Sequence, residues 1–81
     1  MPRAAIYEEI SKERRRQDRT WGGNRHDDDH EPHEWAGFIN HQSLMGLKAI
    51  GSSDPDEYRR RMVNVAALAV AAIEAHDRMT K

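Results

Sequence analysis

The run Met62-Val63-Asn64-Val65-Ala66-Ala67-Leu68-Ala69-Val70-Ala71-Ala72-Ile73 sets the strongest limit on what this chain can fold into. At about 100° per residue it circles a helix more than three times, and only Asn64 interrupts the apolar surface. A helix that is apolar on every side needs neighbours on every side. The chain has 81 residues, one domain near the size at which a lone core is marginal. Two other helices cannot enclose this one. The sequence therefore predicts an all-α, three-helix protein completed by homo-oligomerisation through the third helix, whose alanines permit close contact.

Boundary signals place the three helices. In Ser52-Ser53-Asp54-Pro55-Asp56-Glu57, Asp54 reads as an N-cap, Pro55 as the first helical residue and Glu57 as the reciprocal member of a capping box. The third helix then covers about 55–78. A second helix is expected over about 32–50, with Pro32 in its first turn, Asp29 or His30 as its cap and Gly51 as its stop. Trp35, Phe38, Ile39, Gln42, Met45, Ala49 and Ile50 share its broad inner face, which Leu44 and Leu47 widen, and Gly37 and Gly46 permit close helix approach. The first helix, about 3–19, has no Gly or Pro inside it. Its stripe opens on Ile6 and Ile10, then continues through Glu13, Arg14 and Gln17 towards Trp21. An inward face that turns polar is either a solvated helix end or the wall of a site. Residues 21–31, rich in Gly, Asn and Asp, read as a loop.

Composition narrows the function classes. Net charge is −1 and the pI near 6.5, which argues against broad nucleic-acid binding. With no cysteine there is neither a disulfide framework nor a thiolate metal site. No apolar run suits a bilayer span, and the first residues lack the apolar core of a signal peptide, so a soluble cytoplasmic protein is expected.

Chemistry concentrates in His26-Asp27-Asp28-Asp29-His30-Glu31-Pro32-His33-Glu34-Trp35. Imidazole and carboxylate together suit divalent metals, so His26, Asp27, Asp28, His30 and Glu34 form a candidate set for Mg, Mn or Zn. The alternative is a solvated loop whose aspartates cap the following helix. Two acidic pairs, Glu31/Glu34 and Glu74/Asp77, have the three-residue spacing that puts two carboxylates on one helical face. His41 lies eight residues beyond His33, on roughly the same face, and could join that site.

The order Glu13-Arg14-Arg15-Arg16-Gln17, Trp21-Gly22, His26-Asp27-Asp28 with His30, and Val65 to Glu74 closing on Asp77-Arg78 resembles a family of small phage and prophage helical proteins. Those share the motifs E-R-x-R-Q, W-G, H-D-D-x-H and I-E-x-x-D-R. Longer relatives are similar to the MazG-like all-α nucleotide pyrophosphatases, in which a middle helix carries E-E-x-x-E and a later helix E-x-x-D. This sequence departs from that pattern, with Trp35-Ala36-Gly37-Phe38-Ile39 after Glu34, and Arg59-Arg60-Arg61 and Asn64 where the later acidic pair belongs.

The resemblance implies a phage-type protein of the host cytoplasm that binds a phosphorylated nucleotide without turning it over, as a sponge for a host defence signalling nucleotide. Arg14, Arg16 and Arg61 would meet phosphates and Trp21 or Trp35 would stack on a base, with Gln17 in the same wall. Two alternatives accompany it. One is a metal-dependent pyrophosphohydrolase using Glu31, Glu34, Asp27 and Asp28. The other is an inhibitor that binds a host defence protein through the Arg14 to Arg16 run or the acidic loop.

Overall fold

The computed structural model describes residues 2–23 and 29–79, and among these every regular element is a helix. Helix α1 is Arg3–Trp21, α2 is Pro32–Gly51 and α3 is Pro55–Met79. The all-α, three-helix expectation holds; the three starts fall where expected and the C-terminal ends lie one or two residues later. No helix among the described residues is long and apolar enough to cross a membrane.

Local chemistry explains the ends. Helix α1 runs on to Trp21 because Gly22 takes a left-handed conformation, φ 96°, and its N–H donates to the Asp18 carbonyl at 3.0 Å. Trp21 therefore rides on a helix rather than in a loop. The cap of α2 is Glu31, not Asp29 or His30, and Glu34 reaches back to accept from the Glu31 N–H at 3.4 Å. At α3 the expected cap forms, with Asp54 Oδ1 accepting from the Glu57 N–H at 3.1 Å. The reciprocal half of that box does not form. The Asp54 N–H donates to the Ala49 carbonyl at 2.9 Å, and the Glu57 carboxylate turns to Arg60 and Arg61.

Helix α3 is the central element, packed along α2 and crossed by α1. The short turn from Ser52 to Asp54, with Ser53 at φ 56°, folds α2 and α3 into an antiparallel hairpin. Their contact is seated at one end by Trp35, Leu68, Ala71 and Ala75, with Ile39 and Ala72 against them. At the other end Gly46 admits the Met62 side chain. One edge of α1 shares a groove with Asp56 to Asn64, and its opposite edge shares another with Val70 and Glu74. Helix α1 thus lies across α3, and Ala67, between the two grooves, is wholly buried.

The inward polar stripe of α1 is not a solvated end: Gln17 is 2% exposed and Arg14 is buried, while Glu13 borders the groove shared with α3. Arg14 donates to Gln17 Oε1 at 3.2 Å, to Asp18 Oδ1 at 3.0 Å and, across the helix pair, to Glu74 Oε1 at 3.4 Å; Gln17 donates to Glu13 Oε2 at 3.1 Å. A polar seam joins α1 to α3 through the stripe whose partner the sequence did not reveal.

The single chain buries little. No large side chain among the described residues is fully buried, and Leu44, Leu47, Ile50 and Ile73 all stay exposed. The radius of gyration is 13.4 Å, against about 12 Å for a compact chain of this length. Helix α3 has α2 on one flank and α1 on another, and none of the other described residues covers its third flank.

Candidate functional site

The last turn of α1 and the start of α2 converge over α3. Trp21 comes from α1; His30 comes from the segment before α2; Trp35, Phe38, His41 and Gln42 come from successive turns of α2; Leu68 of α3 closes the floor. Together they line a cleft of about 330 Å³. Positions 35, 38 and 42 recur at helical spacing, so α2 itself dictates that these side chains share a side.

The rings in the cleft pack edge to face. His30 lies 5.2 Å from Trp35 and 5.1 Å from Phe38 between centroids, with interplanar angles of 82° and 81°. The His30 Nδ1 is 3.0 Å from Glu34 Oε2. That contact, followed by the bond from the Glu31 N–H, holds the Glu34 carboxyl below its ordinary value. The buried Trp35 indole N–H meets no acceptor among the described residues.

A second, more open groove lies between α1 and the N-terminal half of α3. It holds Lys12, Arg16, Arg19, Arg59 and Arg60 against Glu9, Glu13 and Asp56, five cations to three carboxylates in about 600 Å³. Several of its charges are clamped. Arg16 donates to both Glu13 oxygens at 2.8 and 2.7 Å, and Arg59 to both Glu9 oxygens at 2.8 and 2.7 Å. These guanidiniums depress the Glu13 and Glu9 carboxyls, and the carboxylates in turn raise Arg16 and Arg59. Lys12 and Arg19 carry no hydrogen-bonded carboxylate among the described residues.

Cleft and groove meet at one hydrogen-bonded junction. Gln42 Oε1 accepts from Arg61 Nη1 at 2.9 Å and from Asn64 Nδ2 at 3.3 Å. Gln42 lines the aromatic cleft and Asn64 lines the cationic groove. The oxygen is thereby committed, which turns the Gln42 amide nitrogen away from Arg61.

The residues expected from sequence divide among several places. Trp21, Trp35 and His30 meet in the cleft, with Glu34 beside His30. Arg16 is in the groove, and Arg61 braces the junction between the two. Arg14 and Gln17 belong to the interhelical seam, outside both cavities. Glu74 pairs with Arg14, and Asp77 lies 3.3 Å from His76. His26, Asp27 and Asp28 of the candidate metal set lie outside the described residues. Among the described residues no group of three His, Asp or Glu side chains is arranged to hold a metal ion.

Phe38, Gln42, Lys12, Arg19, Arg59 and Arg60 were not among the expected ligand residues. Their signal was periodicity: 38 and 42 follow 35 by one and two turns, and 12, 16 and 19 fall on one edge of α1. No family profile, curated protein or solved structure matches this chain.

Proposed function

We propose that this protein binds a phosphorylated nucleotide, with the base in the aromatic cleft and the phosphates along the cationic groove. The observation that carries the reading is the adjacency of the two, joined through the Gln42–Asn64 hydrogen bond. An aromatic cleft alone would suit many apolar ligands, and an arginine groove alone many anions. Side by side they suit a molecule with a flat ring at one end and negative charge at the other.

Base stacking on Trp21 or Phe38 contributes about 1–3 kcal/mol. Phosphates would meet Lys12 and Arg19 first, because Arg16 and Arg59 are already clamped by carboxylates. The reading is one of binding rather than turnover. A metal-dependent hydrolase needs convergent carboxylates, whereas Glu34 is engaged by His30 and Glu74 by Arg14. The motif resemblance to small phage proteins adds the setting, a protein of the host cytoplasm that sequesters a signalling nucleotide, and the apolar third helix adds homo-oligomerisation.

Thermal shift against a panel of nucleosides, nucleotides and cyclic nucleotides, with and without Mn²⁺, tests the proposal. Phosphorylated members should stabilise the protein and nucleosides much less. Phe38→Ala should weaken binding by about 5- to 150-fold, the equivalent of one lost stacking contact. Absence of stabilisation by every member would refute it.

A further inference from the structure

The open flank of α3 does not stand alone. Along α3, Met62, Val65, Ala69 and Ile73 follow one another at spacings of three and four, on the side turned away from the residues that meet α1. Because α2 runs antiparallel to α3, its Leu47 and Ile50 emerge on that same side. Gly46 beside them is where Met62 and Tyr58 cross onto α2. The two stripes form one face made by both arms of the hairpin. Leu47 is 63% exposed, Ile50 57% and Ile73 60%. No charged side chain falls within the face, although one residue in three of the whole chain is charged.

We infer that this α2–α3 face is the surface on which a second copy of the chain docks, hairpin against hairpin, to complete a four-helix core. It deepens the homo-oligomer part of the proposed function and is independent of the nucleotide. Three observations commit the face to a second copy. The chain alone fully buries no large side chain among the described residues, so it has apolar surface to spare where a stable domain would not. The face has a usable size: Tyr58 to Ile73 of α3 span about 23 Å, and two helices 8–10 Å apart are about 18 Å wide, giving a projected area of about 400 Å², which side-chain relief carries towards the roughly 600 Å² per partner at the small end of stable interfaces. A charge-free apolar strip is also self-complementary, so a two-fold axis can match it to itself without burying a charge. The small Ala66 and Ala69 let the α3 helices approach closely. Both the aromatic cleft and the cationic groove are lined from the α1 side of the hairpin, so they stay open in such an assembly.

The test is light scattering coupled to size exclusion on the full chain and on Leu47→Glu, Ile73→Glu and Leu44→Glu. Leu44 is half-exposed but lies off the face, on the far side of α2, and serves as the control. The expected result is an oligomer for the parent chain and for Leu44→Glu, and helical monomers by circular dichroism for the other two. Single cysteines give a second readout that does not depend on a charged variant folding, because the chain has none of its own. A cysteine at 47 or 73 should react at least tenfold more slowly with a thiol reagent than one at 44. A monomeric parent chain would overturn both the surface and the homo-oligomer reading. An oligomer that survives both glutamates, with equal thiol reactivity at 44, 47 and 73, would overturn the surface alone.

Discussion

Two glycines of the same helix give a sharp test of how α2 sits on α3. A methyl group placed on Gly37 meets nothing within 4 Å. Placed on Gly46, it comes 2.8 Å from Met62 Cε, 3.6 Å from Arg61 Cβ and 3.8 Å from Tyr58 Cδ1. Helix propensity favours alanine over glycine by about 0.8–1.0 kcal/mol at either position. At Gly37 the whole gain should appear. At Gly46 the Met62 methyl must swing away, and an off-rotamer or displaced side chain costs about 0.5–1.5 kcal/mol, so the two terms nearly cancel. Gly37→Ala should therefore raise the melting temperature by about 4–8 °C, and Gly46→Ala by a fraction of that. Thermal and urea unfolding should be run at one protein concentration, since the stability of an oligomer depends on it. Equal gains at the two glycines would mean that Met62 does not close over Gly46 and that the α2–α3 contact is wrongly described.

Further outcomes follow from the polar contacts. Gln42→Leu strands the Arg61 and Asn64 donors and should cost about 1–3 kcal/mol in urea unfolding, with part of the loss recovered in the double variant with Asn64→Leu. Asp54→Ala removes the side-chain cap of α3 and should cost about 1 kcal/mol by the same assay. The Glu9, Glu13 and Glu57 carboxyls are held below their ordinary value of 4.5, chiefly by hydrogen bonds from Arg59, from Arg16, and from Arg60 with Arg61. A depressed carboxyl stabilises the fold above its unfolded value, and that stabilisation is lost as pH falls through the lower folded value. Urea midpoints should accordingly be flat above pH 5.5 or so and fall below about 4.5, and Glu13→Gln should remove part of the fall. High salt should shrink the same effect, because most of these pairs are exposed.

The helices were legible in the sequence because their signals are local: a Pro after an Asp, a Gly at a helix end, apolar residues at spacings of three and four. The errors at the ends are also local. Trp21 joined α1 because the left-handed Gly22 ends the helix two residues beyond the expected end at 19. Pairings between helices were not legible. The stripe of Glu13, Arg14 and Gln17 could be read as solvated or as a site wall, and only its partner Glu74, 60 residues away, makes it a seam. Helix α3 looked apolar on all sides, yet α1 reaches it through polar groups and leaves its open side continuous with α2. Within the candidate site, Trp21, Trp35 and His30 stood out as residue types. Phe38 and Gln42 did not, because nothing in the linear sequence says that the end of α1 comes over the middle of α2.

The central claim is that one ligand spans the aromatic cleft and the cationic groove. Nuclear magnetic resonance of the ¹⁵N-labelled protein reads both ends at once, through the indole N–H signals of Trp21 and Trp35 and the Nε–H signals of the groove arginines. Titration with a nucleoside should move the indole signals alone, inorganic triphosphate the arginine signals alone, and a nucleotide both sets with one common affinity. Indole and arginine signals that saturate at unrelated concentrations of the same nucleotide, or that do not move at all, would contradict the account.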